Sequence, residues 1–166
     1  AELSADYQYE NLEIWTGSKL KSKIDTERYL AGLFDPNSGH LHPLNYTLGL
    51  ADAAIKRGVR IFEKSAVLEV NEGKIIKAIT SSGEVSCRYL VLAGNAYLSG
   101  FAGRISNKLM PVGTYIGASE PLGEERARSL IQNNMAVADI NFVLDYYRLS
   151  ADHRMLFGGR VSYSTV

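Results

Sequence analysis

The sequence predicts a mixed α/β fold, on three observations. A helical period runs through Pro43–Arg57, four short β-rich runs follow between Val59 and Ala93, and the second half carries long strand candidates joined by tight turns. The chain has 166 residues, of which 46% are hydrophobic and 22% charged, so it is long enough to bury a core and is neither disordered nor fibrous in composition. Eighteen basic residues balance eighteen acidic ones, which argues against a nucleic-acid or acidic-membrane partner. No apolar run approaches the ~18 residues of a membrane span. The single cysteine, Cys87, excludes an internal disulfide and fits a reducing, cytoplasmic setting.

Each element has its own signal. Residues 9–17 alternate polar and apolar with aromatics, as a half-buried strand does. Thr26 is placed to cap a short helix, TERYLAGLF, ended by the turn residues Asp35-Pro36-Asn37-Ser38-Gly39. In Pro43–Arg57, Leu44, Leu48, Ala51 and Ile55 share one helical face, and Gly58 stands just past the basic end. VRIFE, AVLEV, KIIKAITS and VSCRYLVLA read as strands, and the unbroken apolar run Tyr89–Ala93 has the composition of a parallel strand covered on both faces. Met110–Ala118 is a strand candidate and Gly123–Leu130 a short charged helix. Residues 141–150 and 154–158 then form an antiparallel pair across Ala151-Asp152-His153. The seam between the two halves falls between Gly94 and Lys108.

Several chemistries are excluded. No two of the fifteen glycines are two positions apart, so the GxGxxG dinucleotide fingerprint does not occur, and none are five apart, so a phosphate loop does not either. Gly113-Thr114-Tyr115-Ile116-Gly117 has Tyr where a nucleophile elbow needs Ser. His40 and His42 would point the same way in an extended segment, but no further ligand nearby completes a metal shell, so no metal site is expected. No stand-alone catalytic constellation emerges.

The order of segments carries a resemblance. Ser38-Gly39-His40-Leu41-His42-Pro43, the helix ending in Ala53-Ala54-Ile55-Lys56-Arg57-Gly58, then Val59-Arg60-Ile61-Phe62, Ala66-Val67-Leu68-Glu69-Val70, Ser82-Gly83-Glu84-Val85 and Leu90-Val91-Leu92-Ala93-Gly94-Asn95-Ala96 resemble the central part of the FAD-dependent amine and amino-acid oxidase family, the group of D-amino-acid, glycine and sarcosine oxidases. Leu109–Ile116, Glu120-Pro121-Leu122 and NFVLDYYRLSADHRMLFGGR look like the branch acting on gamma-glutamylputrescine. The resemblance implies a partial FAD-binding Rossmann-like region over residues 26–108. It also implies part of an antiparallel substrate-domain sheet of the D-amino-acid oxidase type, from residues 1–25 and 109–166.

It further implies an internal fragment of a longer flavoenzyme, with the remainder of its own chain as partner. The Gly-rich turn and helix that hold the pyrophosphate in such enzymes are absent from these residues, so the fragment alone is expected to bind FAD weakly or not at all and to be inactive. The implied reaction oxidises an amine C–N bond and passes electrons to O2, giving hydrogen peroxide. The rival reading is a non-catalytic α+β binding module.

On this resemblance Val67, Ala93, Gly94 and Asn95 are the cofactor-binding candidates. Val67 equally suits a plain core, and Gly94 a turn at the end of a strand. The substrate candidates are Tyr115, Tyr146, Tyr147 and Arg148, with Phe142 among the aromatic residues expected on the same sheet. Tyr146 and Tyr147 are adjacent, so they leave opposite faces, and the sequence does not say which faces the flavin. Arg148 shares a face with Tyr146 and could anchor a carboxylate by bidentate pairing, or pack its stem on the sheet surface. No catalytic residue is named.

Overall fold

The structure is a computed structural model that describes residues 2–98 and 100–162. In chain order its elements are α1 (Glu2–Tyr7), β1 (Glu13–Thr16), α2 (Gly17–Lys21), β2 (Ala31–Phe34), α3 (Pro43–Lys56), β3 (Val67–Asn71), β4 (Ile76–Thr80), β5 (Gly83–Cys87), α4 (Gly103–Ser106), β6 (Gly113–Ala118), α5 (Glu124–Leu130), β7 (Val137–Ala138), β8 (Tyr146–Leu149) and β9 (Met155–Ser162), with short 3-10 turns at Asn95–Tyr97 and Gly100–Ala102. The fold is mixed α/β with antiparallel sheets: among the described residues every strand pair is antiparallel. No helix among them is long and apolar enough to cross a membrane.

The chain divides into two compact units, one built from the residues up to Leu41 and from Gly113 onward, the other from His42–Val112. In the first, β1 and β2 form a hairpin, and a second sheet runs β6-β9-β8-β7. Its core is two clusters. Trp15, Leu20 and Ile24 pack with Tyr29, Phe34, Val137, Met135 and Tyr147. Ala127, Ile131 and Leu149 pack with Leu130, Met155, and again Met135 and Tyr147, which join the two. The bridge Ile24↔Ile131 and the bond from Asp25 N to the Leu130 carbonyl (3.0 Å) tie the N-terminal segment to the end of α5.

Here one expected element changes type. TERYLAGLF does not form a helix: residues 26–30 bend, and Ala31–Phe34 is a strand in register with Glu13–Thr16. Pairing satisfies the backbone and lets Phe34 stack on Trp15 at 4.3 Å, a gain that outweighs the modest helix propensity of the segment. Thr26 serves as a turn instead, its Oγ1 accepting from Arg28 N (3.2 Å). The following turn is where the sequence puts it, with Asp35 Oδ1 accepting from Asn37 N (2.9 Å).

The second unit contains α3 and the antiparallel meander β3-β4-β5. The helix starts on Pro43, with His42 Nδ1 accepting from Asn45 N (3.3 Å). Leu44, Leu48 and Ile55 do form an apolar stripe, yet each is exposed. VRIFE is irregular rather than a strand, and so is Tyr89–Ala93, where Tyr89 and Val91 are 86% and 85% exposed. A strand exists only when a neighbouring strand takes up its backbone groups, and among the described residues none pairs with either run; Val59 N donates back to the Ala54 carbonyl of α3 instead (3.1 Å). The apolar composition is real; the expected cover is not among these residues.

Candidate functional site

Of the site candidates in the first unit, Tyr146, Tyr147 and Arg148 sit on the β8–β9 hairpin and Tyr115 on β6. The hairpin turn is built by Ser150: Ser150 N donates to the Arg154 carbonyl (2.9 Å), His153 N to the Ser150 carbonyl (3.0 Å), and Arg154 N to Ser150 Oγ (3.0 Å). Asp152 holds Arg154 Nε at 2.7 Å, and its carboxyl lies below the usual range because Ser150 and Arg154 hydrogen-bond its charged form. His153 takes the left-handed conformation at φ 61°. The register this fixes, Arg148↔Leu156 and Tyr147↔Phe157, then determines which way every side chain of the pair points.

Tyr147 turns inward. It packs against both core clusters and stacks on Phe157 at 5.5 Å. Burial raises its phenol well above the ordinary tyrosine range, and a hydrogen bond with Tyr29 adds to that. By strand alternation Tyr146 and Arg148 lie on the other face, beside Gly158, which pairs with Tyr146. A Cβ at Gly158 would run into the Tyr146 ring, so the glycine is what lets that ring lie flat on the sheet. Tyr115 is exposed on β6 and pairs with Gly159, which puts it on the Tyr147 face rather than with Tyr146. Phe142 is not on a strand: it sits fully exposed in the loop between β7 and β8. The four substrate candidates therefore separate into Tyr146 with Arg148 on one face, and Tyr115 and Tyr147 on the other.

Arg148 is held at its tip. Nη1 donates to His40 Nδ1 at 3.0 Å and Nη2 to the Leu41 carbonyl at 3.2 Å. Because Nδ1 faces a donor it must accept, which leaves His40 Nε2 to donate to the Asn134 carbonyl at 2.6 Å. His40 and His42 thus do separate jobs, one on Arg148 and one capping α3, and the shared direction expected for an extended His-Leu-His segment serves neither.

A further polar cluster escaped the sequence reading. The Asp139 side chain is only 4% exposed; its Oδ1 accepts from Asn141 N (3.1 Å) and Asp145 N (3.0 Å), and Arg28 reaches Oδ2 at 3.5 Å. Arg28 also pairs with Asp145 at 2.8 Å. Burial alone would raise the Asp139 carboxyl, but the two backbone donors and Arg28 win, and it lies below its ordinary range. The clamp fixes a loop that presents Ile140 and Phe142 fully to solvent. Asp at both ends of a short apolar loop is the signal that could have revealed it.

In the second unit, Val67 opens β3 opposite Thr80, half-buried, just before a register irregularity at Leu68. Ala93 is exposed and outside any strand; Gly94 begins the 3-10 turn, and a Cβ there would meet Leu98 Cδ2 at 2.7 Å. Asn95 is left-handed at φ 48°. Ala93 and Asn95 are thus exposed beside the apolar run, whereas Gly94 is half-buried against the Leu98 side chain and its carbonyl accepts from Tyr97 N (2.9 Å). The start of α3 does not suit a phosphate, since Pro43 lacks an N–H and His42 already takes that of Asn45. Among the described residues no group of three His, Cys, Asp or Glu lies close enough to hold a metal ion.

Comparison with known proteins adds to this geometry. The family described as FAD dependent oxidoreductase matches residues 1–165. A probable oxidoreductase OrdL of Haemophilus influenzae is 44% identical over 95% of this chain and 38% of its own length. Gamma-glutamylputrescine oxidoreductase of Escherichia coli is 40% identical over 95% of the chain and 37% of its own length, and a probable oxidoreductase OrdL of Rhizobium meliloti is 28% identical over 98% and 38%. The chain spans somewhat more than a third of the length of these relatives. No solved structure matches it.

Proposed function

Since this chain belongs to the FAD dependent oxidoreductase family, we propose that it is part of a longer flavoenzyme that oxidises the C–N bond of a carboxylate-bearing amine of the gamma-glutamylputrescine type. The overall reaction converts a primary amine, O2 and water into an aldehyde, ammonia and hydrogen peroxide. Bound FAD would supply the hydride acceptor and the path for electrons to O2. The residues of this chain bind and orient. Val67 and the backbone of Ala93, Gly94 and Asn95 would help hold the cofactor, while Tyr146 and Arg148 would offer an aromatic surface and a cation to the substrate.

The observation that carries this reading is the Tyr146–Arg148 face, with a guanidinium fixed at its tip and, on the same face by strand alternation, a tyrosine ring laid over Gly158. A planar cation suits a carboxylate, and the desolvating ring suits an alkyl chain. Binding the carboxylate end places the distal amine without any residue of this chain acting on its proton; an amine bound in its neutral form needs no dedicated base. The exposed apolar runs along α3 and Tyr89–Ala93 support the larger-protein part of the proposal, because surface of that size normally lies against something. The single cysteine favours a reducing, cytoplasmic setting.

The test is the full-length protein. Purified, it is expected to show the flavin absorbance of stoichiometric FAD and to release peroxide fastest with gamma-glutamylputrescine in a panel with N-acetylputrescine, sarcosine, glycine and D-alanine. Absence of flavin, or peroxide release indifferent to the carboxylate, would overturn the reading.

A further inference from the structure

We infer that His40 is a positioning residue for substrate specificity: by accepting from Arg148 it sets the direction of the guanidinium that selects a carboxylate on the amine. The inference rests on the proposed role of Arg148 and goes beyond it, since it assigns the selectivity to a residue 108 positions away in sequence.

The argument is geometric. A free arginine side chain samples many rotamers, and a flexible cation discriminates poorly between a carboxylate and other acceptors. Here two different nitrogens of Arg148 are bonded to two fixed acceptors, His40 Nδ1 at 3.0 Å and the Leu41 carbonyl at 3.2 Å. Two such bonds set the plane of the fork as well as its position. The imidazole is itself anchored, because Nε2 donates to the Asn134 carbonyl at 2.6 Å. His40 is thus relayed between a backbone carbonyl and the guanidinium, and its ring cannot turn without breaking both bonds. Among the described residues nothing else bonds the guanidinium. Three of its five N–H donors remain, in a plane the two bonds fix, as bidentate recognition of a carboxylate requires, and by strand alternation Arg148 leaves the sheet on the face that also carries Tyr146.

The substitutions that separate this role from a merely structural one follow from atom positions. An asparagine at 40 puts its carbonyl oxygen where Nδ1 was and keeps the acceptor for Arg148. A glutamine reaches the Nε2 position and keeps the donor to Asn134, but loses that acceptor. We would make His40→Asn, His40→Gln, His40→Leu and Arg148→Met in the full-length FAD-loaded protein, and measure flavin content and steady-state peroxide release with gamma-glutamylputrescine and with N-acetylputrescine, which lacks the carboxylate.

In His40→Gln and His40→Leu the ratio of KM for gamma-glutamylputrescine to KM for N-acetylputrescine is expected to rise roughly tenfold, the loss of one hydrogen bond to a charged group. The loss falls on KM rather than kcat, and His40→Asn restores most of the ratio. If Asn and Gln behave alike, or if both amines lose equally, the positioning role is wrong while Arg148→Met still raises the ratio and the carboxylate reading survives. If Arg148→Met leaves the ratio unchanged, the carboxylate reading fails and the role of His40 with it. Should His40→Leu fail to fold, the Asn–Gln comparison alone decides.

Discussion

Trp15 and Phe34 stack at 4.3 Å with their planes 15° apart, although 19 residues separate them and only one belongs to a segment that reads as a strand in isolation. The pair lies in the Trp15–Leu20–Ile24 cluster, where Trp15 is 5% exposed. Phe34→Ala removes the stacking partner and is expected to cost about 3 kcal/mol. Equilibrium chemical denaturation, with the fluorescence of the single tryptophan as one probe, measures it. A cost below about 1 kcal/mol, the size of an ordinary surface substitution, would mean that the contact does not organise this hairpin.

Gly158 lies directly under the Tyr146 ring. Gly158→Ala is expected to destabilise by about 1–3 kcal/mol, because the new methyl must push the ring off the sheet. Adding Tyr146→Ala removes the obstacle, so the double variant should lose less than the two single variants combined. A thermodynamic cycle on denaturation midpoints reads this coupling, and strict additivity would contradict the contact.

Tyr147 predicts an alkaline limit. Its phenol is raised above the usual 10 by burial first and by Tyr29 second, so the folded chain keeps a proton that the unfolded chain releases. Stability from this group is complete below pH 10 and declines as pH rises past it toward the folded value. Phenolate absorbance should show one tyrosine that ionises only on unfolding, and Tyr147→Phe should flatten the alkaline decline in stability.

Asp139 predicts the opposite limb. Its carboxyl is lowered, so the loop clamp is intact above the ordinary carboxylate range and is lost as pH falls through the folded value. Hydrogen exchange at Asn141 N and Asp145 N, both donors to Asp139 Oδ1, should be protected near neutral pH and released in acid. Asp139→Asn should speed that exchange at neutral pH and remove its acid dependence.

Much of this was legible along the chain. The α3 helix announces itself by Pro43, its apolar stripe and Gly58, and the structure has it at Pro43–Lys56. The β8–β9 hairpin follows from alternation around a short polar turn, and the meander from β-rich runs between Gly- and Ser-containing turns. These features depend on residues a few positions apart. TERYLAGLF failed because its fate depends on Trp15, and VRIFE and Tyr89–Ala93 failed because strand composition without a partner strand makes no ladder. Among the candidate residues, the separation of Tyr146 from Tyr147 onto two faces was legible; which one the core would take was not.

The sequence by itself determined the family, the element types that local period and turn chemistry dictate, and the presence of an arginine one residue beyond a tyrosine pair. Only the tertiary structure decided that Tyr147 goes inward, that Arg148 is bonded by His40, and that Arg28 meets Asp139 and Asp145. The reason is distance along the chain. Alternation and propensity are set by neighbours, whereas the partner of a buried phenol or a guanidinium is chosen by packing among residues a hundred positions apart, where no local pattern carries the information.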